Sequence, residues 1–361
     1  MSIHFHLLRV SEVKRETPDT VSVVFDIPES LKDIFRFTQG QNITVRATLE
    51  NEEIRRNYSI CSCPTDNELR IAIRKVPGGK FSTYANQTLK KGEVLEILPP
   101  TGKFFTPLLQ GQKKNYMAFA AGSGITPVIS IIKTTLQTEP GSSFLLVYGN
   151  KQRSSILFRE ELEGIKNTYL DRFQVIHVLS RERTESQLNA GRIDAAKCEL
   201  IHEKIVSLSA IDEFFLCGPA MMIDTVKEYL KSKGIDQRKI HFELFNAPQK
   251  KEEKNAEEHL EKQQYKNARA QVSIQLDGIV SQFELDFNGE TILNAAMKQG
   301  IDLPFACKGG MCCTCRAKLE SGEVDMDHNY ALEHEEVDAG FILTCQSHPR
   351  TEKLYVNFDV R

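Results

Sequence analysis

Over residues 1–108 apolar and polar positions alternate with a period of two in short runs: VSVVFDI (21–27), QNITVRATL (41–49), ELRIAIRKV (68–76) and EVLEILPP (93–100). Turn-forming clusters separate them, among them Pro18-Asp19, Thr38-Gln39-Gly40 and Lys91-Gly92. Period two marks half-buried strands, and several at this spacing with little helical signal predict an antiparallel barrel. From about residue 109 the pattern changes. Continuous apolar runs such as NYMAFAAG, SFLLVYGN, RFQVIHVLS and DEFFLCGP alternate with helix-period stretches, TPVISIIKTTLQ, ILFREELEGIK and AMMIDTVKEYLKSKG, ending in IHFELF at 240–245. That alternation predicts a parallel sheet flanked by helices.

Residues 246–270 carry almost no large apolar side chain and mix both charges closely, which reads as a linker. The remainder, 271–361, holds two strand-like runs (QVSIQL, SQFELDF), a short helix (TILNAAMKQG) and a cysteine-rich loop. The expected organisation is multidomain, α+β and α/β: a barrel over 1–108, an α/β domain over 109–245, the linker and a small C-terminal domain.

Composition alters this picture little. The chain of 361 residues has 40% hydrophobic and 26% charged residues and a net charge of −3, an ordinary globular balance. Nothing in it calls for nucleic acid, and no apolar run approaches the roughly 18 residues of a membrane span. The opening MSIHFHLLRV enters a strand pattern without the basic and apolar regions of a signal peptide, so the expected location is cytoplasmic.

The nine cysteines are uneven: Cys307, Cys312, Cys313, Cys315 and Cys345 crowd the last part of the chain. Cys307, Cys312 and Cys315 have the spacing C-x4-C-x2-C, and 29 residues separate Cys315 from Cys345. This is the plant-type [2Fe–2S] arrangement, with three thiolates in one tight loop and a distant fourth. Gly309 and Gly310 suit a backbone that curls around a cluster and aims N–H groups at sulfur. Structural zinc sites pair two short C-x2-C spacings, and only one such pair exists here. Cys313 falls outside the ligand pattern.

Four further motifs sit at predicted strand ends or helix starts. Arg56-Asn57-Tyr58-Ser59 fits R-x-Y-S: a guanidinium fork for a pyrophosphate, an aromatic ring to lie on an isoalloxazine, and a hydroxyl near flavin N5. Twenty residues on, Gly79, Lys80 and Ser82 open a short helix whose N-terminus suits a phosphate oxygen. Gly122, Gly124, Thr126 and Pro127 form G-x-G-x-x-P in a strand–turn–helix context, a phosphate loop that departs from the G-x-G-x-x-G fingerprint. Cys217-Gly218-Pro219 ends another strand beside it; Cys217 packs either against a nicotinamide or as a buried structural thiol.

In this order the motifs, with Glu243-Leu244-Phe245, resemble the ferredoxin–NADP reductase superfamily, and the attached ferredoxin resembles the reductase components of multicomponent oxygenases. The resemblance implies a six-stranded Greek-key barrel that binds FAD, an NAD(P)-binding α/β domain and a β-grasp ferredoxin domain. It implies that Ser59, Cys217 and Glu243 surround the flavin–nicotinamide contact as catalytic residues, with Phe245 near the flavin ring. Ser180-Arg181 at the end of VIHVL is similar to the family's 2′-phosphate clamp, with Arg153 assisting; it favours NADPH, with NADH open because Glu182 and Glu185 lie nearby. The expected activity is electron transfer from NAD(P)H through FAD and the cluster to an external acceptor, an oxygenase or alternatively another hydroxylase, desaturase or haem protein. A non-enzymatic redox sensor is the rival from a different class; it would show the cluster without NAD(P)H-dependent reduction.

Overall fold

The computed structural model describes residues 4–245 and 268–360. They belong to two compact units. The first begins with six antiparallel strands: β1 (His6–Thr17), β2 (Thr20–Asp26), β3 (Asn42–Leu49), β4 (Glu52–Ser59), β5 (Leu69–Arg74) and β6 (Val94–Ile97), in the order β4-β3-β6-β1-β2-β5. An antiparallel bridge between Ile60 and Ile71 joins the continuation of β4 to β5 and closes the sheet. Strands β3, β4 and β5 are then consecutive neighbours, and β6 returns beside β3, a Greek key. Leu8, Val10, Val23, Ile43, Val45, Ile71, Ile73 and Ile97 are fully buried along the inner face. Each such side chain contributes about 1.5–3 kcal/mol of transfer free energy. Helix α1 (Lys80–Gln87) plugs this core with Phe81 and Ala85, and Asn86 Nδ2 donates to the carbonyl of Ile73.

The same unit continues into five parallel strands, β7 (Asn115–Ala121), β8 (Ser143–Asn150), β9 (Phe173–Leu179), β10 (Glu213–Gly218) and β11 (Ile240–Leu244), ordered β11-β10-β7-β8-β9. Helices α2 (Ile125–Thr138), α3 (Arg159–Thr168), α4 (Ala195–Lys204) and α5 (Ala220–Ser232) make the crossovers. Helix α4 has no counterpart among the runs read from the sequence. Its buried residues are Lys197, Cys198 and Ile201, too few apolar positions for a helical period, and it starts instead from Asp194, whose carboxylate accepts from the Lys197 amide at 2.8 Å. The strand order reverses between β7 and β10, the switch point at which ligands of such sheets bind, outside the carboxyl ends of the strands.

The second unit is a mixed sheet. Strands β12 (Arg269–Leu276), β13 (Ile279–Asp286), β14 (Arg316–Ser321), β16 (Phe341–Leu343) and β18 (Lys353–Asn357) take the order β13-β12-β18-β14-β16, while β15 (Val324–Met326) pairs with β17 (Ser347–Pro349). Helix α6 (Ile292–Lys298) packs Ile292, Leu293, Ala295 and Ala296 on Val272, Ile274, Ala317 and Val356. A short helix α7 (His334–Asp338) precedes β16. Strand β12 starts at Arg269, and Ala270 is already buried in the core, so the last two positions of the expected linker belong to the domain. The rest of that linker lies outside the described residues.

Candidate functional site: the switch-point crevice and the cysteine loop

At the switch point the two glycine turns touch. Gly124 stands against β10 so closely that a Cβ there would lie 2.1 Å from the Cys217 carbonyl oxygen; one on Gly218 would lie 3.2 Å from Ala121 Cβ. Gly122 has φ +55°, and its carbonyl accepts the Tyr148 hydroxyl at 2.9 Å. Thr126 is buried and donates to the Ser123 carbonyl at 3.0 Å, closing the first turn of α2, in which Pro127 is also buried. The turn thus holds its shape through its own side chains, and because the Ile125 amide that opens α2 donates to the Gly122 carbonyl, an anionic ligand would be offered the Gly122–Gly124 turn that leads into the helix.

Ser59, Cys217 and Glu243 converge beside these turns. Cys217 on β10 is in register with Glu243 on β11. Ser59, at the end of β4, donates from Oγ to Glu243 Oε2 at 3.0 Å, linking barrel and α/β sheet. Asn42 Nδ2 donates to the other oxygen at 3.4 Å. Burial of Glu243 pushes its carboxyl up to about 7 against the pull of these two donors. Cys217 is 0% exposed, and burial, with the neighbouring carboxylate, holds its thiol well above the usual range. It is a neutral, apolar surface and not a nucleophile. Phe245 is half-buried against the core of the α/β domain.

The remaining residues read from the sequence lie on β4, in and before α1, and after β8 and β9. Arg56 is exposed on β4, and Tyr58 is half-buried with its ring 5.9 Å from Phe81. Ser82 is buried: its hydroxyl accepts from the Val76 amide at 3.1 Å and donates to the Gly79 carbonyl at 3.2 Å. What α1 offers an anion is therefore the unused N–H groups of its first turn, with the Ser82 hydroxyl spent on shaping the loop. Lys80 pairs with Glu52. Ser180 and Arg181 are exposed, whereas the Arg153 amide donates to Glu182 at 2.7 Å and its guanidinium faces the same carboxylate at 3.9 Å. Two residues of the crevice escaped the sequence: Asn42, and Arg74, whose Nη1 would lie 3.2 Å from a Cβ on Gly122. Neither belongs to a motif, and only the fold brings them there.

In the second unit Cys307, Cys312, Cys315 and Cys345 draw together. The Cys307 thiol is pulled down by hydrogen bonds from Cys312 and Cys345, and Cys345 also meets Cys315. The Gly309 and Met311 amides both point at Cys307 Sγ at 3.4 Å, and Gln346 Nε2 lies 3.6 Å from Cys345 Sγ. Gly310, at φ +75°, could not carry a Cβ, which would meet the His328 carbonyl at 2.7 Å. Among the described residues no three His, Cys, Asp or Glu are placed around a single ion. The four thiols with amides aimed at sulfur fit a two-iron cluster, which takes four cysteines shared between its irons. Cys313 turns away and donates to the Ala331 carbonyl at 3.2 Å.

These features define a flavin- and nicotinamide-dependent oxidoreductase with a ferredoxin-type cluster domain. Residues 7–106 match the oxidoreductase FAD-binding domain family, 119–228 the oxidoreductase NAD-binding domain and 274–350 the 2Fe-2S iron-sulfur cluster binding domain. The chain is 40% identical over 358 residues to a 1,2-phenylacetyl-CoA epoxidase subunit of Escherichia coli (strain K12), covering 99% of this chain and 98% of that one. It is 33% identical over 361 residues to the 3-ketosteroid-9-alpha-monooxygenase ferredoxin reductase component of Rhodococcus rhodochrous, covering 98% and 96%. Phthalate dioxygenase reductase shares the fold, with a TM-score of 0.60, 24% identity and 98% coverage of each chain. The chain belongs to the family of ferredoxin reductase-type oxygenase reductase components. Among its described residues no helix is long and apolar enough to cross a membrane.

Proposed function

We propose that this chain is the NADPH-dependent reductase of a phenylacetyl-CoA epoxidase-type oxygenase, working in the cytoplasm. The observation that carries the reading is the Ser59–Glu243 bond at the carboxyl ends of the sheet, beside Cys217 and the two glycine turns. The full-length relationship to the Escherichia coli epoxidase subunit supports the partner, and a cluster built from four reduced thiolates suits a reducing compartment.

When bound, FAD supplies the exchange between a two-electron hydride donor and a one-electron cluster. Arg56 and the first-turn N–H groups of α1 hold its pyrophosphate, and Tyr58 lies against its ring. Gly122, Gly124 and Gly218 let the nicotinamide dinucleotide approach the backbone, and Thr126 and Pro127 hold the first turn of α2 so that the Gly122–Gly124 turn faces its phosphates. Cys217 excludes water from the nicotinamide face, while Ser59 and Glu243 hold a proton near flavin N5. Ser180 and Arg181 receive the 2′-phosphate, which a guanidinium pairs with far better than it pairs with a ribose hydroxyl. Cys307, Cys312, Cys315 and Cys345 hold the cluster.

Steady-state oxidation of NADPH and NADH by the FAD- and iron-loaded protein, with and without purified epoxidase oxygenase subunits, tests this. Coupled product formation with NADPH preferred by about tenfold or more is expected. Rapid reduction of an artificial acceptor with no transfer to those subunits would assign the chain to another oxygenase.

A further inference from the structure

Glu243 sits near the end of the edge strand β11, yet both of its oxygens are held by the barrel. The donors come from neighbouring strands: Ser59 on β4 to Oε2 at 3.0 Å and Asn42 on β3 to Oε1 at 3.4 Å. Asn42 is itself fixed. It is 3% exposed, its amide and carbonyl both pair with Thr101 at 2.8 Å, and its Oδ1 accepts the Thr101 hydroxyl at 3.3 Å. That last bond orients the amide so that Nδ2 faces the carboxyl. Behind it, Gly102 has φ +108°, and a Cβ there would stand 2.7 Å from Nδ2. A side chain at position 102 would thus collide with this amide.

An amide Nδ2 can only donate. A proton on Oε1 would compete with this donor for the same oxygen, so a proton taken up by Glu243 is favoured on Oε2, where Ser59 Oγ lies. The groups facing the carboxyl are Ser59 and Asn42 from the barrel, neither of which titrates, and the neutral Cys217 thiol from β10. We infer that Asn42 is a positioning residue for the reaction: it locks the Glu243 carboxyl so that its proton is carried on the oxygen next to Ser59. This rests on the reading of Glu243 given under Proposed function.

The test uses the FAD-loaded full-length protein as wild type, Asn42→Ala, Asn42→Asp, Glu243→Gln and Asn42→Ala/Glu243→Gln. Without the Asn42 donor the charged carboxylate loses more than the neutral acid does. The Tm gap between wild type and Asn42→Ala is therefore expected to widen from about pH 5 to about pH 8. The pH limb of flavin reduction by NADPH should move up by about 0.5 pH unit or more. Asn42→Asp keeps the shape and sets a like charge against Glu243, so its limb should move further, which covers the case in which the alanine variant does not fold. Both effects should vanish in the Glu243→Gln background. A pH-independent Tm loss, or a limb shift that persists in that background, would overturn the inference. If Glu243→Gln leaves the wild-type limb unmoved, the role given to Glu243 in the reaction fails, while the Tm comparison still decides whether Asn42 holds its carboxyl.

Discussion

Gly124 and Cys217 are packed backbone to backbone: the space a Gly124 Cβ would need is filled by the Cys217 carbonyl oxygen 2.1 Å away. The loop after β7 and the turn after β10 are consequently one rigid assembly. Gly124→Ala must push them apart, with an expected cost of about 1–3 kcal/mol by overpacking and a loss of NADPH-dependent flavin reduction that exceeds the loss of FAD content. Thermal melts together with stopped-flow flavin reduction separate the two effects. A variant with wild-type KM and rate would show that the close packing is not required for nicotinamide binding.

Glu243 gives the crevice a pH dependence of definite sign. Its folded value, about 7, lies above the usual 4.5, so the folded protein binds this proton more tightly than the unfolded chain does. The stability from this group is fully present below about 4.5 and is lost as pH rises through about 7. Glu243→Gln cannot ionise, so its Tm relative to wild type is expected to improve between about pH 5 and about pH 8. Scanning calorimetry at several pH values checks this, and a flat difference would contradict the raised carboxyl.

Much of the fold that positions these residues was legible from the chain, for physical reasons particular to each part. Strand and helix periods marked the barrel and the α/β alternation because the buried faces are nearly pure in apolar residues. The cysteine spacing was legible because one loop must supply three converging thiols. Asn42 and Arg74 were not legible, since each meets Glu243 or Gly122 across a sheet or domain boundary and no local pattern encodes that. Ser82 shows a different limit: its type and position fit a phosphate ligand, yet its hydroxyl closes the turn before α1. Strand β12 begins two residues early because Arg269 and Ala270 share the polar, small-residue texture of the segment before them, and only Ala270's burial reveals the register.

The cysteine loop is expected to separate into four ligands and a bystander. Cys312→Ala is expected to abolish the visible cluster absorbance and reduction of the protein acceptor, while NADPH reduction of ferricyanide through the flavin survives. Cys313 has φ +49°, a left-handed conformation that glycine adopts without strain. Cys313→Gly should therefore keep its iron, and any lost packing should be offset by about 1 kcal/mol of relieved strain. Iron content and absorbance of both variants distinguish these roles; loss of iron in Cys313→Gly would place Cys313 among the ligands.

Barrel and α/β domain also share an ionic cluster. Arg70 on β5 donates from Nη2 to both oxygens of Glu161 on α3 at 2.9 and 3.0 Å, and Lys133 on α2 reaches Glu161 at 3.1 Å and Asp66 at 2.5 Å. Arg70 also lies over the Phe158 ring at 5.2 Å. Removing the guanidinium leaves Glu161 with Lys133 alone, so Arg70→Ala is expected to cost about 2–3 kcal/mol. Arg70→Met, which keeps the packing on Phe158, should cost less. Urea denaturation of the two variants measures the difference, and equal losses would show that packing contributes nothing there.

On the proposed reading, discrimination between NADPH and NADH turns on how the cations near the end of β9 are committed. Arg153 is engaged twice by Glu182, through its amide at 2.7 Å and its guanidinium at 3.9 Å, whereas Arg181 is exposed just after the strand. If a 2′-phosphate dianion binds there as proposed, Arg181 is open to it while the Glu182 carboxylate competes for Arg153. Arg181→Ala should raise KM for NADPH about tenfold and leave NADH within about twofold, since only the phosphate makes a charge-assisted pair. Glu182→Gln removes the competing anion and frees Arg153, so it should lower KM for NADPH. Both KM values for both nucleotides in each variant decide the matter: if Arg181→Ala weakens the two nucleotides equally, Arg181 serves a group they share and the preference is set elsewhere.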